Sequence, residues 1–258
     1  MPKRLLLPLL LTLALVLAGG PARAGDPLSP PQRQWLKNHG PLKVGVFTGY
    51  PPFGFLDAKG QPAGISIDLW KLLAQKLRLQ VEFVPAQFAD LLGGIKSGRL
   101  DSLAGVFPLP ERRAYADFSQ PWLDIGTYIW TSPARAKRIK GLADLQGLRV
   151  GAVRDDSGQV LAQAAGLEVT PFPDYAPAVE ALAAGQVEAI VMDELVAAHL
   201  IAQRKLQGKL ARAGAAVDQG QMTLPVARGN AVLLQILNQG LKAIKAPEMK
   251  KIKARWLS

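Results

Sequence analysis

The chain has 258 residues, a formal net charge of +11, no cysteine and only two histidines. Without cysteine it has no disulfide framework and no thiolate nucleophile, and zinc sites that use sulfur ligands are excluded. Its length is enough for one large or two modest domains held by ordinary hydrophobic cores. We expect no metal site and no cofactor.

The N-terminus has the pattern of a cleaved signal peptide. A basic pair at positions 3 and 4 precedes an apolar core at Leu5–Leu17, and Ala22-Arg23-Ala24 supplies small residues for cleavage before Gly25. The apolar stretch is shorter than the roughly 20 residues that a bilayer span needs, which argues against an uncleaved anchor. We therefore predict that residues 1–24 are removed and that a soluble protein is exported to the periplasm.

After a short helix near Pro31–Asn38, strands and helices alternate. The first predicted series has strands at Leu42–Phe47, Leu79–Val84 and Ser102–Phe107, with helices at Ile67–Leu77 and Phe88–Lys96. Such a βαβαβ series is typical of a parallel sheet with right-handed crossovers.

A second series repeats this layout later in the chain. Its predicted strands are Leu148–Val153, Glu168–Pro171 and Val187–Met192, and its predicted helices are Ser157–Ala165, Ala176–Ala184 and Glu194–Lys205. Two α/β lobes of about 100 residues each fit this repeat better than one continuous sheet.

Two extended segments, Trp122–Thr131 and Met222–Ala227, connect the series, and a long helix at Asn230–Ile244 follows the second one. The chain is thus expected to leave lobe one, build lobe two and return. We assign residues 25–126 and 229–258 to lobe one and residues 127–228 to lobe two, with hinges near 124–132 and 222–228. Paired hinges allow two lobes to close over a ligand.

The basic excess permits binding to nucleic acid or to an anionic surface. Many of the cations, however, lie near the C-terminus, where Leu237, Leu241 and Ile244 recur at helical spacing. We interpret these cations as the solvated side of an amphipathic helix. No nucleic-acid motif accompanies them, so we predict no nucleic-acid partner. The cations are Lys242, Lys245, Lys250, Lys251, Lys253 and Arg255.

Five strand-to-loop junctions end in residues suited to holding a small zwitterion. They are Tyr50, Phe88, Arg112, Ser157 and Asp193. In open α/β sheets, ligands bind outside the carboxyl ends of the strands, so these side chains are expected to converge on one site.

Each of these residues has a structural alternative. Asp193 and Ser157 are good N-cap residues for the helices that they begin. The aromatic residues are often core residues, and Arg112 has Glu111 and Asp117 nearby in sequence as ion-pair partners.

Several motifs follow one another in a fixed order. They are Tyr50-Pro51-Pro52-Phe53, Gly64–Leu69, Pro110–Arg113, Asp117–Trp122, Asp144–Gly151 and Gly185–Asp193. In this order and spacing the chain resembles, over essentially its whole mature length, the periplasmic solute-binding proteins of ABC importers in the class that takes polar amino acids. The resemblance implies a two-lobed flytrap fold, binding of a small solute without catalysis, and an ABC permease in the inner membrane as partner.

The resemblance also implies roles for individual residues. Arg112 matches the arginine that grips an α-carboxylate, Ser157 a hydroxyl residue that meets the same carboxylate, and Asp193 the partner of the α-ammonium. Tyr50 and Phe88 match the aromatic walls of the pocket. Two further ligand-binding positions are Gly105, where backbone approaches the ligand, and Phe107.

The family pattern is not complete. Threonines are common in the family where this chain has Phe107 and Leu109, and a Glu is common where it has Gly54. The loss of a hydroxyl at Phe107 makes the pocket more apolar. An apolar or aromatic amino acid, or a carboxylate without the amino group, therefore stays open as ligand.

Two other functions stay open. The leader at Leu28–His39 is similar to the segment before flytrap domains of membrane-bound sensors, so a sensor acting through a separate signalling partner is the first alternative. The second is a periplasmic enzyme, because some relatives of this fold dehydrate cyclohexadienyl acids with a carboxylate as the acid. Asp155, Asp156, Asp193 and Glu194 are the candidate acids.

Overall fold

The structure, a computed structural model, describes residues 26–257, so the predicted signal peptide lies outside the described residues. The first part of the described chain contains α1 (Pro30–His39), β1 (Leu42–Phe47), β2 (Phe55–Leu56), β3 (Pro62–Ala63), α2 (Ile65–Leu77), β4 (Val81–Ala86), α3 (Phe88–Lys96), β5 (Ser102–Leu103) and β6 (Ala116–Phe118).

The second part contains β7 (Leu123–Thr131), α4 (Pro133–Ala136), β8 (Val150–Val153), α5 (Ser157–Ala164), β9 (Val169–Phe172), α6 (Tyr175–Ala183), β10 (Ala189–Asp193), α7 (Glu194–Gln203) and β11 (Ala211–Met222). The chain ends with β12 (Pro225–Ala227), α8 (Ala231–Ala243) and α9 (Ala246–Trp256).

Ten of the twelve described strands form two five-stranded sheets, and β2 and β3 pair as a separate hairpin; the two large sheets confirm the predicted two-lobed α/β fold. The first sheet has the order β4-β1-β5-β12-β6, and the second has the order β11-β7-β10-β8-β9. In each sheet the first strand of the βαβαβ series lies between the other two: β1 is parallel to β4 and β5, and β8 is parallel to β9 and β10. The two halves therefore repeat one topology.

The chain passes between the lobes twice, from β6 to β7 and from β11 to β12. β7 is antiparallel to β10 and β11 in the second sheet, whereas β12 is antiparallel to β5 and β6 in the first. The crossings thus lie at residues 119–122 and 223–224, a few residues before the lobe boundaries predicted at 126 and 228. β12, assigned from sequence to lobe two, pairs in the sheet of lobe one.

Helical periodicity explains how the first lobe is packed. In α2, Ile65, Leu69, Leu73 and Leu77 recur every four residues and are fully buried. This spacing places them on one face of the helix, where Leu69 and Leu73 share a buried cluster with Val44 of β1.

An apolar cluster is shared by the lobes. Phe53 and Phe107 of the first lobe belong to the same buried cluster as Tyr175 and Val153 of the second. A Cβ on Gly220 of β11 would lie 2.8 Å from the ring of Phe107, so that ring lies directly against the second sheet. Apolar packing therefore joins the lobes around the cleft.

Two predicted elements differ from the structure, and one observed strand was not predicted. The strand predicted at Ser102–Phe107 is only two residues long, because Val106 forms an isolated bridge with Thr223 instead. β11 was not predicted. The amphipathic helix expected at the C-terminus is two helices, because the chain is extended at Ile244 and Lys245 before Pro247. Proline favours the first turn of a helix, where its missing N–H costs nothing.

The position of α5 depends on a glycine. A Cβ on Gly158 would lie 2.2 Å from the carbonyl oxygen of Val191 in β10. Gly158→Ala should therefore lower the free energy of unfolding by about 1–3 kcal/mol, because the helix must move away from the sheet. Gly93→Ala in α3 is the matched control, since nothing lies within 4 Å of its Cβ position; it should be neutral or stabilising by up to about 1 kcal/mol. Chemical denaturation measures both, and equal stability of the two variants would contradict the close packing of α5.

Candidate ligand-binding site

The candidate site lies between the lobes, where the loops after β1 and β8 meet the end of β10. Tyr50 follows β1 in the first lobe, and Tyr175 begins α6 in the second. Their rings stack with centroids 5.3 Å apart and planes at 28°. The ring of Phe53 also stacks on Tyr50, with ring centroids 4.9 Å apart. Strand ends of both lobes therefore converge on one aromatic stack.

Asp193, at the end of β10, is 1% exposed. Its Oδ2 accepts a hydrogen bond from the Tyr50 hydroxyl, and its Oδ1 accepts one from the Thr127 hydroxyl at 3.0 Å. Burial and, after it, the negative charge of Asp156 raise the pKa of Asp193 to about 7. Asp193 occupies the N-cap position of α7, but its side chain makes no cap hydrogen bond. The alternative that it serves only as a helix cap is therefore wrong.

Asp156 supplies a second buried carboxylate. It accepts a hydrogen bond from the hydroxyl of Tyr175 through Oδ2. It is the N-cap residue of α5, and again its side chain makes no cap hydrogen bond. Burial and the charge of Asp156 raise the pKa of Tyr175 well above its ordinary value, so this hydroxyl stays protonated at neutral pH.

Arg112 is 2% exposed and connects the lobes. Its Nη1 donates to the carbonyl oxygen of Phe107 at 2.9 Å, and its Nη2 donates to that of Asp155 in the second lobe at 2.7 Å. The guanidinium carbon lies 5.2 Å from the centre of the Phe88 ring, within cation–π range. Both hydrogen-bond acceptors are backbone carbonyls, so the alternative of a surface ion pair is wrong.

Ser157 begins α5 beside Asp156 and is 1% exposed. Its Oγ is buried without a hydrogen-bond partner among residues 26–257. A buried hydroxyl without a partner costs about 1–3 kcal/mol. It therefore does not cap α5 and is free to meet a bound molecule at a helix N-terminus, where anions are favoured.

A cavity of about 20 Å³ lies beside the tyrosine stack. This is room for about one water molecule, so an amino acid enters only when the lobes part or the aromatic side chains move. Its lining comes from both lobes. The lining residues are Phe47, Tyr50, Phe88, Gly105, Val106, Phe107, Asp156, Tyr175 and Met222.

Four of the seven predicted binding residues line this cavity, namely Tyr50, Phe88, Gly105 and Phe107. The other three each adjoin a lining residue. Arg112 bonds to the Phe107 carbonyl, Ser157 follows Asp156 in the chain, and Asp193 accepts from Tyr50.

Gly105 is tightly surrounded, and its approach to a ligand stays a prediction. A Cβ there would lie 2.9 Å from the sulfur of Met222. All seven predicted residues thus lie at the lobe interface, and their contact with a solute remains a prediction.

Two side chains at the centre of the site were not predicted as ligand-binding. Asp156 was considered only as a possible acid of an enzyme, and Tyr175 was not singled out. Tyr175 follows the carboxyl end of β9 at Phe172. The expectation that ligands bind beyond the carboxyl ends of strands therefore applies to Tyr175 as well. It was missed because it falls between the predicted end of that strand and the predicted helix.

Within the part of the chain that the structure describes, no group of three or more His, Cys, Asp or Glu residues is placed to hold a metal ion. The described helices are also too short or too polar to cross a membrane.

Two lobes joined by two crossings, with charged side chains of both facing one cleft, define the class of two-lobed binding proteins. Residues 42–258 match the profile of the bacterial extracellular solute-binding proteins, family 3, and the chain belongs to this family.

Three relatives illustrate the range of the family. The L-cystine-binding protein TcyJ of Escherichia coli (strain K12) is 26% identical over 225 residues, which are 86% of this chain and 84% of TcyJ. The virulence sensor protein BvgS of Bordetella bronchiseptica is 28% identical over 235 residues, 87% of this chain but only 18% of BvgS. The solved structure of an ancestral arginine-binding protein bound to glutamine is 32% identical with a TM-score of 0.76, covering 84% of this chain and 97% of that one.

The raised pKa of Asp193 predicts a pH dependence of stability. The unfolded chain releases this proton near pH 3.8, whereas the folded protein holds it up to about pH 7. The stability that the proton contributes is complete below pH 3.8 and is lost as the pH rises through 7. Over this range the free energy of unfolding should fall by about 2–4 kcal/mol more in the wild type than in Asp193→Asn.

Urea denaturation at several pH values measures this difference. Asp90→Asn, which removes an exposed carboxylate of α3, should keep the wild-type pH dependence. A parallel profile for the wild type and Asp193→Asn would show that Asp193 titrates normally.

Proposed function

We propose that the protein is an exported binding protein that captures a small amino acid between its lobes and delivers it to an ABC permease of the inner membrane. The observation that carries the proposal is that a basic side chain, Arg112 of the first lobe, and an acidic one, Asp193 of the second, are both buried at the lobe interface. An amino acid has the complementary pair, a carboxylate and an ammonium group. The names of TcyJ and of the ancestral arginine-binding protein support this solute class.

In this proposal Arg112 binds the solute carboxylate through its planar fork, which matches a carboxylate bidentately. The hydroxyl of Ser157, which has no hydrogen-bond partner in the described part of the chain, donates to the same carboxylate. Asp193 accepts from the ammonium group, while Tyr50 and Phe88 form the walls.

In the absence of solute, hydrogen bonds between the lobes already satisfy some of the groups that would bind it. The Tyr50–Asp193 and Arg112–Asp155 hydrogen bonds both join one lobe to the other. A bound solute replaces these contacts with its own charged groups while keeping the lobes together. Because neither lobe alone supplies all of these groups, the solute binds the closed form better and shifts the population toward it.

A second candidate function is sensing. The same cross-cleft hydrogen bonds hold the lobes together through protein groups, and a change in lobe closure is the kind of signal that a sensor passes to a partner. The match to BvgS supports this candidate. Deletion of the gene separates the two: loss of solute uptake supports import, whereas intact uptake with a lost transcriptional response supports sensing.

We assign no catalytic step to the site. A buried carboxyl of raised pKa such as Asp193 is nevertheless the kind of group that acts as a general acid. Turnover of prephenate or arogenate by the purified protein is therefore measured beside binding, and we expect none.

The binding of an amino acid is tested first by thermal shift against all amino acids and small carboxylates. A solute at 100 times its Kd adds about 2.7 kcal/mol to the free energy of unfolding, which raises Tm by several degrees. Arg112→Ala should weaken binding of the identified amino acid by about 2–5 kcal/mol, because the carboxylate loses a buried charged partner.

Arg112→Lys is the matched variant, since it keeps the charge but loses the fork. It should retain part of the affinity if charge matters and lose most of it if bidentate geometry dominates. Calorimetric titration gives both values. Unchanged affinity in Arg112→Ala would contradict the assignment of the carboxylate to this residue.

A further inference from the structure

The last helix, α9, packs on α2 with one side and is exposed on the other. On the inner side, Glu248 pairs with Lys76 at 2.8 Å, and Arg255 pairs with Asp68 at 3.1 Å. Asp68 also accepts a hydrogen bond from the indole N–H of Trp256 at 2.9 Å. The opposite side, which we call the outer face of α9, recurs at helical spacing and is exposed except for the half-buried Lys253. It consists of Ala246, Lys250, Lys253, Ala254 and Leu257.

Positive charge is concentrated in this part of the chain. Residues 231–257 contain six cations and one carboxylate, a net charge of +5, whereas the whole chain has +11. The carboxylate is Glu248, which faces α2 and is paired there with Lys76. Among the described residues, Lys250 and Lys253 form no salt bridge. The outer face of α9 therefore presents positive charge that no paired acid offsets.

Exposed apolar side chains adjoin the C-terminal end of this face. In the part of the chain that the structure describes, two large hydrophobic residues are exposed, Leu56 at 45% and Leu257 at 41%. Leu56 directly follows Phe55, and Leu257 directly follows Trp256. The rings of Phe55 and Trp256 meet edge to face with their centroids 5.5 Å apart. The two leucines thus lie in one region of the surface, beside an aromatic pair.

One exposed carboxylate, that of Asp57, lies next to Leu56 in the chain. Its Oδ1 accepts hydrogen bonds from the backbone N–H groups of Gln61 at 2.9 Å and Lys59 at 2.8 Å. These hydrogen bonds and, after them, the charges of Lys59 and Lys71 lower the pKa of Asp57. Two lysines therefore lie close to this acid, and the region around the leucines keeps its positive balance.

This combination of lysines, aromatic rings and exposed leucines fits an anionic membrane surface better than a protein. Helices that lie in the membrane interface carry Lys or Arg on the polar face and place Trp, Phe or Leu at the boundary of headgroups and acyl chains. Five of the six cations in residues 231–257 are lysines. Protein interfaces are depleted in lysine and enriched in arginine, whereas lysine clusters are attracted to anionic lipids.

We propose that the outer face of α9, together with Leu56, docks the protein on an anionic lipid bilayer. The lysines lie at the level of the lipid phosphates, and Leu56 and Leu257 enter the boundary between headgroups and acyl chains. None of these residues lines the cavity in the cleft, so the inference goes beyond the proposed function and does not depend on the solute. An exported protein held in this way stays at the membrane instead of diffusing away from it.

Co-sedimentation with lipid vesicles tests this inference on the exported protein, purified after removal of the predicted signal peptide. The protein should bind vesicles of phosphatidylcholine with about 30% phosphatidylglycerol at least about tenfold more tightly than vesicles of phosphatidylcholine alone. Raising the salt concentration from about 0.05 M to about 0.5 M should weaken this binding at least about threefold, because salt screens the attraction of exposed charges.

The lysines of the outer face are tested by Lys250→Gln combined with Lys253→Gln. This pair should weaken binding to the anionic vesicles at least about tenfold, since each lysine near such a surface contributes about fivefold. Lys205→Gln combined with Lys209→Gln is the matched control, because it removes the same charge from exposed positions of the second lobe. It should change the binding by less than about twofold. Circular dichroism establishes that each variant is folded.

Leu257→Ala tests the apolar part of the surface. It should weaken binding by about threefold to tenfold, because less apolar area enters the bilayer. This loss should persist at high salt, whereas the loss caused by the lysine pair should shrink there, because salt screens charges and leaves apolar contacts in place.

A fluorescent label identifies the face that contacts the lipid. The chain has no cysteine, so Ala254→Cys and Lys205→Cys each create a single attachment site for an environment-sensitive dye. The emission of a dye at position 254, on the outer face of α9, should shift to the blue when anionic vesicles are added. The emission of a dye at position 205, in the second lobe, should stay unchanged.

Three results would overturn the inference. Absence of binding to the anionic vesicles excludes the membrane and leaves an acidic protein as the partner of this face. Equal losses in the two lysine pairs show attraction by net charge alone, without a defined surface. A blue shift at position 205 but not at position 254 shows that another face meets the lipid. None of these results bears on amino-acid binding, which thermal shift measures separately.

Discussion

The burial of Asp193 between the lobes is the constraint on which the rest of the site depends. A carboxylate removed from water is destabilising unless hydrogen bonds or opposite charges replace its hydration. Here the donors come from both sides, because Thr127 lies on β7 of the second sheet and Tyr50 belongs to the first lobe. Parting the lobes removes Tyr50 and returns water to the carboxylate. Lobe closure and the charge of Asp193 are therefore coupled, and a proton and a cationic solute stabilise the same buried group.

The repeated topology explains why charged groups of both lobes meet. β1 and β8 each lie between their two parallel partners, so the loops after them leave from interior strands of the sheets. Tyr50 stands on the first of these loops, and Asp156 and Ser157 stand at the end of the second. The same βαβαβ unit occurs in both lobes, and its loops from the two lobes meet, so the site contains residues that neither lobe supplies alone.

The elements with strong local signals could be predicted from the sequence. α3 begins and ends where its apolar spacing indicated, at Phe88 and Lys96. β11 could not be predicted, since its first half is rich in alanine and glycine and lacks the β-branched residues that favour strands. Its pairing with β7 over most of its length, a contact distant in sequence, makes it a strand.

In the site, too, the residues with a local sequence signal could be predicted and those without one could not. Tyr50, Ser157 and Asp193 could be predicted as interface residues because strand ends are marked in the sequence. The partners of Arg112 could not, because they are the backbone carbonyls of Phe107 and Asp155, which no residue pattern encodes.

Three aspartates occupy helix N-cap positions in the second lobe, and they differ in whether the side chain caps the helix. Asp174 occupies the N-cap of α6 and accepts a hydrogen bond from the backbone N–H of Ala176 at 3.0 Å. Asp156 and Asp193 occupy the same position on α5 and α7, and neither caps its helix. An Asp at an N-cap contributes about 0.5–2 kcal/mol when it does so. Residue type and position along the helix are identical in the three cases, and only the surroundings differ. Asp156 and Asp193 accept hydrogen bonds from tyrosine hydroxyls instead of capping their helices. Departures from local sequence preferences of this kind are expected at functional sites rather than in the scaffold.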